Sequence, residues 1–319
     1  MISSALLTLP LLVSLSTIPR VSAHGWLGSV TIGSQTFVGN VPNASPTGTV
    51  IRQIDDVDPV KGASNAFLNC GQNAQLASDV AQANPGDTVA FTWVNGDDGP
   101  WVHNTGPMQT YMTSCGSEPC SSFDSSSASW FKIQEQGRIT PGGDWAMSLM
   151  NSGAPANVTI PSNIAPGNYL IRHELIALQI AQTEGGAEFY PACVQVSIGG
   201  EGTGTPTDEE LVQLPGAYSD TDPGILVDVY SNPDADYVFP GPAVAAFVSG
   251  STDSSSSDSS SSSSAVSASA SSTATAAASS STTSTSGSCK KRRSVPAVDA
   301  VEVPVARPRQ LSRVMKSLL

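Results

Sequence analysis

The stretch Tyr169-Leu-Ile-Arg-His-Glu-Leu-Ile-Ala-Leu178 decides the fold class of this 319-residue chain. Its side chains fall on two alternating faces, which is the period-two pattern of a β-strand. One face carries Tyr169, Ile171, His173, Leu175 and Ala177, and the other carries Leu170, Arg172, Glu174, Ile176 and Leu178. The pattern predicts a strand with substantial apolar surface on both sides.

Further segments indicate that short strands dominate the chain. In Thr88-Val-Ala-Phe-Thr-Trp-Val94 the residues Val89, Phe91 and Trp93 share one face. Three more predicted strands cover residues 145–150, 157–161 and 193–198. Few segments repeat with the period of 3.6 residues that is typical of a helix. Short strands between long Gly-, Pro- and Ser-rich loops favour an all-β, antiparallel sandwich.

Composition and charge exclude two classes of protein. Only 13% of the residues are charged, and the formal net charge is -13. Residues 24–250 hold five Lys and Arg residues against 23 Asp and Glu residues, so this surface repels a phosphate backbone and no nucleic acid is expected as a partner. Beyond residues 1–23 no apolar stretch is long enough to cross a bilayer, so no membrane span is expected.

The first 23 residues are typical of a secretory signal peptide. An apolar run from Ala5 to Ile18 is followed by Val21-Ser-Ala23, which offers small residues at a cleavage point. Cleavage there makes His24 the first residue of a secreted, extracellular protein. The alternative is a buried N-terminal strand or helix.

Cysteines and sequons agree with export. Cys115 and Cys120 are close enough to close a small loop, which leaves Cys70 to pair with Cys193; the alternative is four free buried thiols. Cys289 lies apart, and no partner is assigned to it. Asn43 and Asn157 begin Asn-X-Ser/Thr sequons, so both are candidate glycosylation sites.

The chain divides into four segments by composition. The signal peptide is followed by a globular domain over residues 24–250. Residues 251–288 are nearly all Ser, Thr and Ala, and are expected to be disordered and O-glycosylated. Residues 289–319 form a basic extension that begins Cys289-Lys-Lys-Arg-Arg293, which is either a proprotein cleavage site or a solvated charge run.

Three histidines make a short list of metal ligands: His24, His103 and His173. An N-terminal histidine offers both its α-amine and its ring Nδ1, and a second imidazole completes three nitrogens in one plane. Such a donor set favours Cu(II). A frayed, solvated terminus is the alternative for His24, and a glycosidase with a carboxylate pair stays open because 23 acidic residues are available.

The ordered motifs of the chain resemble fungal lytic polysaccharide monooxygenases of auxiliary activity family nine, formerly glycoside hydrolase family sixty-one. The resemblance covers roughly residues 24–245. It rests on His24-Gly-Trp26, His103-Asn-Thr-Gly-Pro107, Tyr169-Leu-Ile-Arg-His-Glu174, Glu188-Phe-Tyr190-Pro-Ala-Cys193 and the segment Pro215–Ile225.

The resemblance implies an immunoglobulin-like sandwich that binds one copper ion. His24 and His103 are then the copper ligands, Tyr190 is the distant axial group, and His173 is a nearby hydrogen-bonding residue. Tyr218 is expected to stack on the substrate. Core roles for Tyr190 and His173, and an ordinary loop position for Tyr218, are the alternatives.

The implied activity is oxidative cleavage of β-1,4-glucan, most of all cellulose, by a monomeric enzyme that uses an external electron donor and oxygen or hydrogen peroxide. Glu188 departs from the family, which usually has glutamine there, and Gln179 stands where many relatives have histidine. A carboxylate lacks the amide donor and adds charge, so Glu188 is expected to alter the copper's reactivity. The alternative function is a secreted copper-binding or wall-associated protein without oxidative turnover.

Overall fold

The computed structural model describes residues 24–249. The predicted signal peptide (1–23), the Ser/Thr tract (251–288) and the basic extension (289–319) lie outside the described residues, so the four segment boundaries stay predictions. Within the described range, no helix is long and apolar enough to span a membrane.

Within residues 24–249, nine strands form two sheets. The first sheet is antiparallel and has the order β2-β1-β4-β7. Its strands are β1 (Gly25–Ile32), β2 (Gln35–Val38), β4 (Thr88–Asn95) and β7 (Ala156–Thr159). The second sheet has the order β3-β9-β8-β5-β6. Its strands are β3 (Ala81–Ala83), β5 (Met108–Ser114), β6 (Phe131–Gln136), β8 (Gly167–Ala177) and β9 (Glu188–Ile198).

The predicted β-sandwich is confirmed, with one local difference: β3 pairs with β9 in parallel. Val89, Phe91 and Trp93 of β4 are all buried, as their alternation predicts, and they face the core between the sheets. Strand β8 lies between β9 and β5 and is buried from Tyr169 to Ala177. Long loops cover the outer side of its sheet, which explains why both faces of β8 carry apolar residues.

The helices are short. Four 3-10 helices cover Ala66–Leu68, Cys120–Ser122, Ala146–Ser152 and Asp208–Glu210, and the α-helix α1 covers Ala246–Ser249. The strand predicted over residues 145–150 is therefore wrong. Met147 and Met150 are both buried, and their spacing of three residues matches the turn of a 3-10 helix.

Both predicted disulfides are present. Cys70 and Cys193 join segments 123 residues apart, and Cys115 and Cys120 close a loop with a separation of five. The first bond attaches the long loop between β2 and β3 to the middle of β9. It therefore fixes that loop beside the strand that carries Tyr190.

Candidate metal centre

Three side chains that the sequence analysis singled out meet at one end of the sandwich. The ring centroids of His24 and His103 are 6.4 Å apart, and each lies about as close to Tyr190, at 6.3 and 5.6 Å. Nε2 of His103 lies 3.1 Å from the hydroxyl of Tyr190. Two imidazoles and a phenol therefore face a common point, although they come from distant parts of the chain.

Backbone contacts set the position of His24. The residue immediately precedes β1, and its carbonyl accepts a 2.7 Å hydrogen bond from the amide of Gly96. At Gly25 a Cβ atom would lie 1.9 Å from the carbonyl oxygen of Val94, so this position admits only glycine. The close approach of β1 to the end of β4 thus holds His24 at the edge of the sheet.

The other two residues rest on a buried tryptophan. His103 lies in the loop between β4 and β5, and the side-chain amide of Asn151 donates hydrogen bonds to the carbonyls of Trp101 and His103. Trp101 is 1% exposed and makes edge contacts with the rings of His103 and Tyr190, at 5.3 and 4.8 Å. This tryptophan fills the space beneath the site and excludes water from that side.

Glu188 lies at the centre of four polar side chains, two of them from the site itself. Its Oε2 accepts hydrogen bonds from Gln179 Nε2 at 2.6 Å and from the Tyr190 hydroxyl at 3.2 Å, and it lies 3.6 Å from His103 Nε2. Its Oε1 pairs with Lys61 Nζ at 3.2 Å. Since Glu188 and Tyr190 are two residues apart on β9, both point to the same face of the sheet.

The surroundings keep Glu188 ionised. Burial by itself would raise the pKa of this carboxyl, but the charge of Lys61 and the hydrogen bond from Gln179 bring its pKa below the usual value. The pKa of Tyr190 is raised by burial and by the neighbouring Glu188 carboxylate. At neutral pH the site therefore holds a protonated phenol that donates to a carboxylate.

The donor set fits a copper ion if the predicted cleavage makes His24 the N-terminal residue. Nε2 of His103 faces the shared point, and the His24 ring is one-third exposed, so both imidazoles are accessible. Nδ1 of His24 lies 2.7 Å from Asp58 Oδ1, and a metal on that nitrogen would replace this contact. Within residues 24–249 no group of three or more His, Cys, Asp or Glu side chains could hold a metal; removal of residues 1–23 would add the amine of His24 to the two imidazoles as a third nitrogen.

The interpretation of His173 as a neighbour of the metal is wrong. This residue is 1% exposed, stacks on Phe91 at 4.5 Å, and its Nδ1 accepts a hydrogen bond from Trp93 Nε1. Burial, followed by the charge of Arg172, lowers its pKa to about 3. His173 is thus a neutral histidine of the core between the sheets.

The interpretation of Tyr218 as a stacking surface is also wrong. The side chain is 7% exposed, and its hydroxyl donates to Glu174 Oε2 at 2.8 Å. The same oxygen lies 3.0 Å from the hydroxyl of Tyr111. Because Glu174 forms a buried ion pair with Arg172, Tyr218 completes an internal polar cluster and has no free ring face for a sugar.

The two sequon asparagines lie at the surface. Asn43 is exposed in the loop after β2, and its side-chain amide donates to the carbonyl of Asp55. Asn157 is exposed on β7, the edge strand of the first sheet. Both positions are accessible, and their modification stays a prediction.

Sequence reasoning missed three residues of the site. Lys61 and Asp58 reach Glu188 and His24 from a loop that carries no motif, and Gln179 was left without a role. The buried Oε1 of Gln179 has no hydrogen-bond partner among the described residues, so it can accept from a group bound at the site. The departures from the family at 179 and 188 were the available signal, because the two side chains contact each other.

Comparison of the sequence with known proteins gives matches to one family. The family model of Auxiliary Activity family 9 (formerly GH61) matches residues 24–237. An AA9 family lytic polysaccharide monooxygenase D from Gloeophyllum trabeum is 50% identical over 242 residues, which cover 76% of this chain and 70% of the relative. An AA9 family lytic polysaccharide monooxygenase B from Heterobasidion irregulare is 38% identical over 74% of this chain and 97% of the relative.

Solved structures are similar to this chain as well. A cellulose-active polysaccharide monooxygenase from M. thermophila is similar with a TM-score of 0.62 and 34% identity, over 69% of this chain and 98% of that structure. A glycoside hydrolase family 61 member from Hypocrea jecorina is similar with a TM-score of 0.64 and 30% identity, over 69% of this chain and all of that structure (100%).

Proposed function

Because the chain belongs to auxiliary activity family 9, the copper-dependent lytic polysaccharide monooxygenases, we propose that it cleaves the β-1,4-glucan chains of cellulose. The chain is thus an oxidoreductase of polysaccharide breakdown. The proposed co-substrates are an external reductant with oxygen or hydrogen peroxide. The meeting of His24, His103 and Tyr190 at one end of the sandwich is the observation that carries the proposal. The similarity to a cellulose-active enzyme supports the choice of substrate.

One copper ion would be held by the amine and Nδ1 of His24 and by Nε2 of His103, with the Tyr190 hydroxyl beside them. When bound, copper supplies one-electron chemistry with oxygen or peroxide. The protein's part is to keep the two imidazoles oriented, which the strand contact at Gly25 and the packing on Trp101 achieve. Amine and imidazole nitrogens are donors that suit Cu(II).

Glu188 and Gln179 are the polar groups that act next to the ligands. The Tyr190 hydroxyl keeps its proton and donates a hydrogen bond to Glu188 Oε2, so the phenol beside the two histidines is neutral. Gln179 holds the same carboxylate oxygen and leaves its own Oε1 as an acceptor. We propose that Glu188 and Gln179 provide the hydrogen bonds next to the metal that were expected from His173.

Enzymes of this family are secreted fungal proteins, and the proposal places this chain outside the cell as well. Removal of residues 1–23 would create the amine of His24, so export and ligand formation would be one event. The active form is proposed to be a monomer that adsorbs to a glucan surface.

The decisive experiment incubates the processed, copper-loaded protein with cellulose and ascorbate and measures oxidised oligosaccharides by mass spectrometry. Release is expected from the native protein and not from His103→Ala, which loses one imidazole. Glu188→Gln should keep copper affinity within roughly 10–100-fold of the native value, since it changes a neighbour of the ligands and not a ligand. It should alter the rate of peroxide consumption clearly.

Two outcomes would overturn parts of this proposal. Tight copper binding without any oxidised product would favour a copper-binding or wall-associated protein. Loss of copper from Glu188→Gln as complete as from His103→Ala would make Glu188 a ligand.

A further inference from the structure

We propose that Lys61 is a positioning residue of the metal centre: its ammonium group fixes the Glu188 carboxylate beside Tyr190 and His103 and balances its charge. The inference rests on the proposed copper function for the identity of the metal. The contacts that support it are between residues of this chain and do not depend on a bound metal.

The ammonium group of Lys61 is held at two points. Nζ lies 3.2 Å from Glu188 Oε1 and donates a 3.1 Å hydrogen bond to the carbonyl of Gly186. Both partners lie where the chain enters β9. Lys61 thus connects the loop between β2 and β3 to the first residues of the strand that carries Tyr190.

The backbone next to Lys61 prevents the loop from moving away. Val60 and Phe189 exchange two main-chain hydrogen bonds, with N···O distances of 2.8 and 3.1 Å. Since Phe189 is the residue between Glu188 and Tyr190, this bridge places Lys61 directly opposite the carboxylate. An ion pair anchored by backbone on both sides needs less side-chain ordering than an ordinary surface pair.

The two oxygens of Glu188 have separate partners. Oε1 faces Lys61, whereas Oε2 receives Gln179 and the Tyr190 hydroxyl. Without Lys61, Oε1 would lose its cationic partner and only the two hydrogen bonds to Oε2 would hold the carboxylate in place. Because Glu188 is only 7% exposed, it would also keep a buried charge with less compensation.

Other cations of the described domain are engaged elsewhere. Arg52, Lys132 and Arg172 are buried, with their own partners, and Arg138 donates to the carbonyls of Gly143 and Val229. Among the Lys and Arg residues of 24–249, Lys61 is therefore the one that neutralises Glu188.

The test replaces Lys61 by methionine, which keeps the aliphatic stem and removes the charge. An unbalanced carboxylate near the metal stabilises Cu(II) more than Cu(I). We expect the ratio of Cu(I) to Cu(II) affinity to fall about tenfold, the lower end for residues that support metal ligands, because Lys61 is 42% exposed. For a one-electron couple this equals a fall of about 59 mV in reduction potential. The Cu(II) EPR spectrum should change as well.

Two controls separate charge and position from general damage. Lys61→Arg should restore the potential and the EPR spectrum, since it keeps a cation within reach of Oε1. In a Glu188→Gln background, Lys61→Met should shift the potential clearly less and leave the EPR spectrum unchanged, because only the direct effect of the ammonium charge then remains. Thermal unfolding of the metal-free variants checks that each is folded, and Lys61→Gln replaces the methionine variant if that one is not.

Equal shifts in the native and Glu188→Gln backgrounds, or no shift in either, would overturn the role of Lys61. These measurements need no polysaccharide, so their outcome is independent of whether the protein cleaves cellulose.

Discussion

The buried histidine of β8 makes the stability of the domain depend on pH in a specific direction. His173 has a pKa lowered from 6.5 to about 3 in the folded protein, through burial first and Arg172 second. Below pH 6.5 the unfolded chain therefore takes up a proton at this residue that the folded chain does not. Stability contributed by neutral His173 is complete above pH 6.5 and is lost as the pH falls from 6.5 toward 3.

The size of the effect follows from the shift. One pH unit corresponds to about 1.4 kcal/mol, so between pH 7 and pH 5 this residue removes roughly 2 kcal/mol from the free energy of unfolding. His173→Gln keeps a hydrogen-bond acceptor for Trp93 and does not titrate. We expect the variant to be less stable at pH 7 and to lack this part of the pH dependence.

The assay is urea unfolding of both proteins at pH 7, 6 and 5, with disulfides intact and copper removed. Metal removal matters because copper binding is itself pH-dependent. His24 and His103 are present in both proteins, so the difference between the two slopes belongs to His173. Parallel pH profiles for the native protein and the variant would refute the assignment of a neutral, buried histidine.

Three further outcomes are expected. A residue left in front of His24 should weaken copper binding by more than about 100-fold in a calorimetric titration, because it converts a ligand amine into an amide; unchanged affinity would contradict the terminal donor. Tyr218→Phe should cost about 1–3 kcal/mol of stability, since Glu174 loses a buried hydrogen bond, while adsorption to cellulose stays the same; weaker adsorption would restore its predicted stacking role. Replacing the Cys70–Cys193 bond by serines should cost roughly 2–5 kcal/mol in urea unfolding, and more than the same change at Cys115–Cys120, because the larger loop restricts the unfolded chain more; an equal cost would argue against that account.

The alternation of apolar and polar residues predicted where individual strands lie and which side of a strand is buried. The alternation in Thr88–Val94 fixed which side of β4 is buried, and the run over 169–178 located β8. The same pattern failed at 145–150, because a short segment with five apolar side chains among six suits either a strand or a tight helical turn.

Some residues of the site could be predicted from the sequence, and others could not. His24 and His103 stood out because histidine is rare in this chain, and the structure brings both to Tyr190. Lys61 could not be found, because its partner is 127 residues away and reaches it through a backbone bridge between loop and strand. The prediction for Tyr218 was wrong because the sequence of a loop does not show that a buried carboxylate lies within hydrogen-bonding distance of the tyrosine hydroxyl.

The placement of the cations gives the domain an unusual exterior. Arg52, Lys132 and Arg172 are three of its five Lys and Arg residues, and all three lie inside. Of its 23 acidic residues only Glu174 and Glu188 are buried, so almost all the charged groups that face solvent are negative. At low ionic strength, copies of this domain should repel one another and any carboxylated matrix. The repulsion is screened beyond the Debye length, which is about 10 Å at 0.1 M salt. Added salt should therefore weaken the exclusion of the domain from acidic polymers, while the proposed adsorption to neutral glucan should not depend on salt.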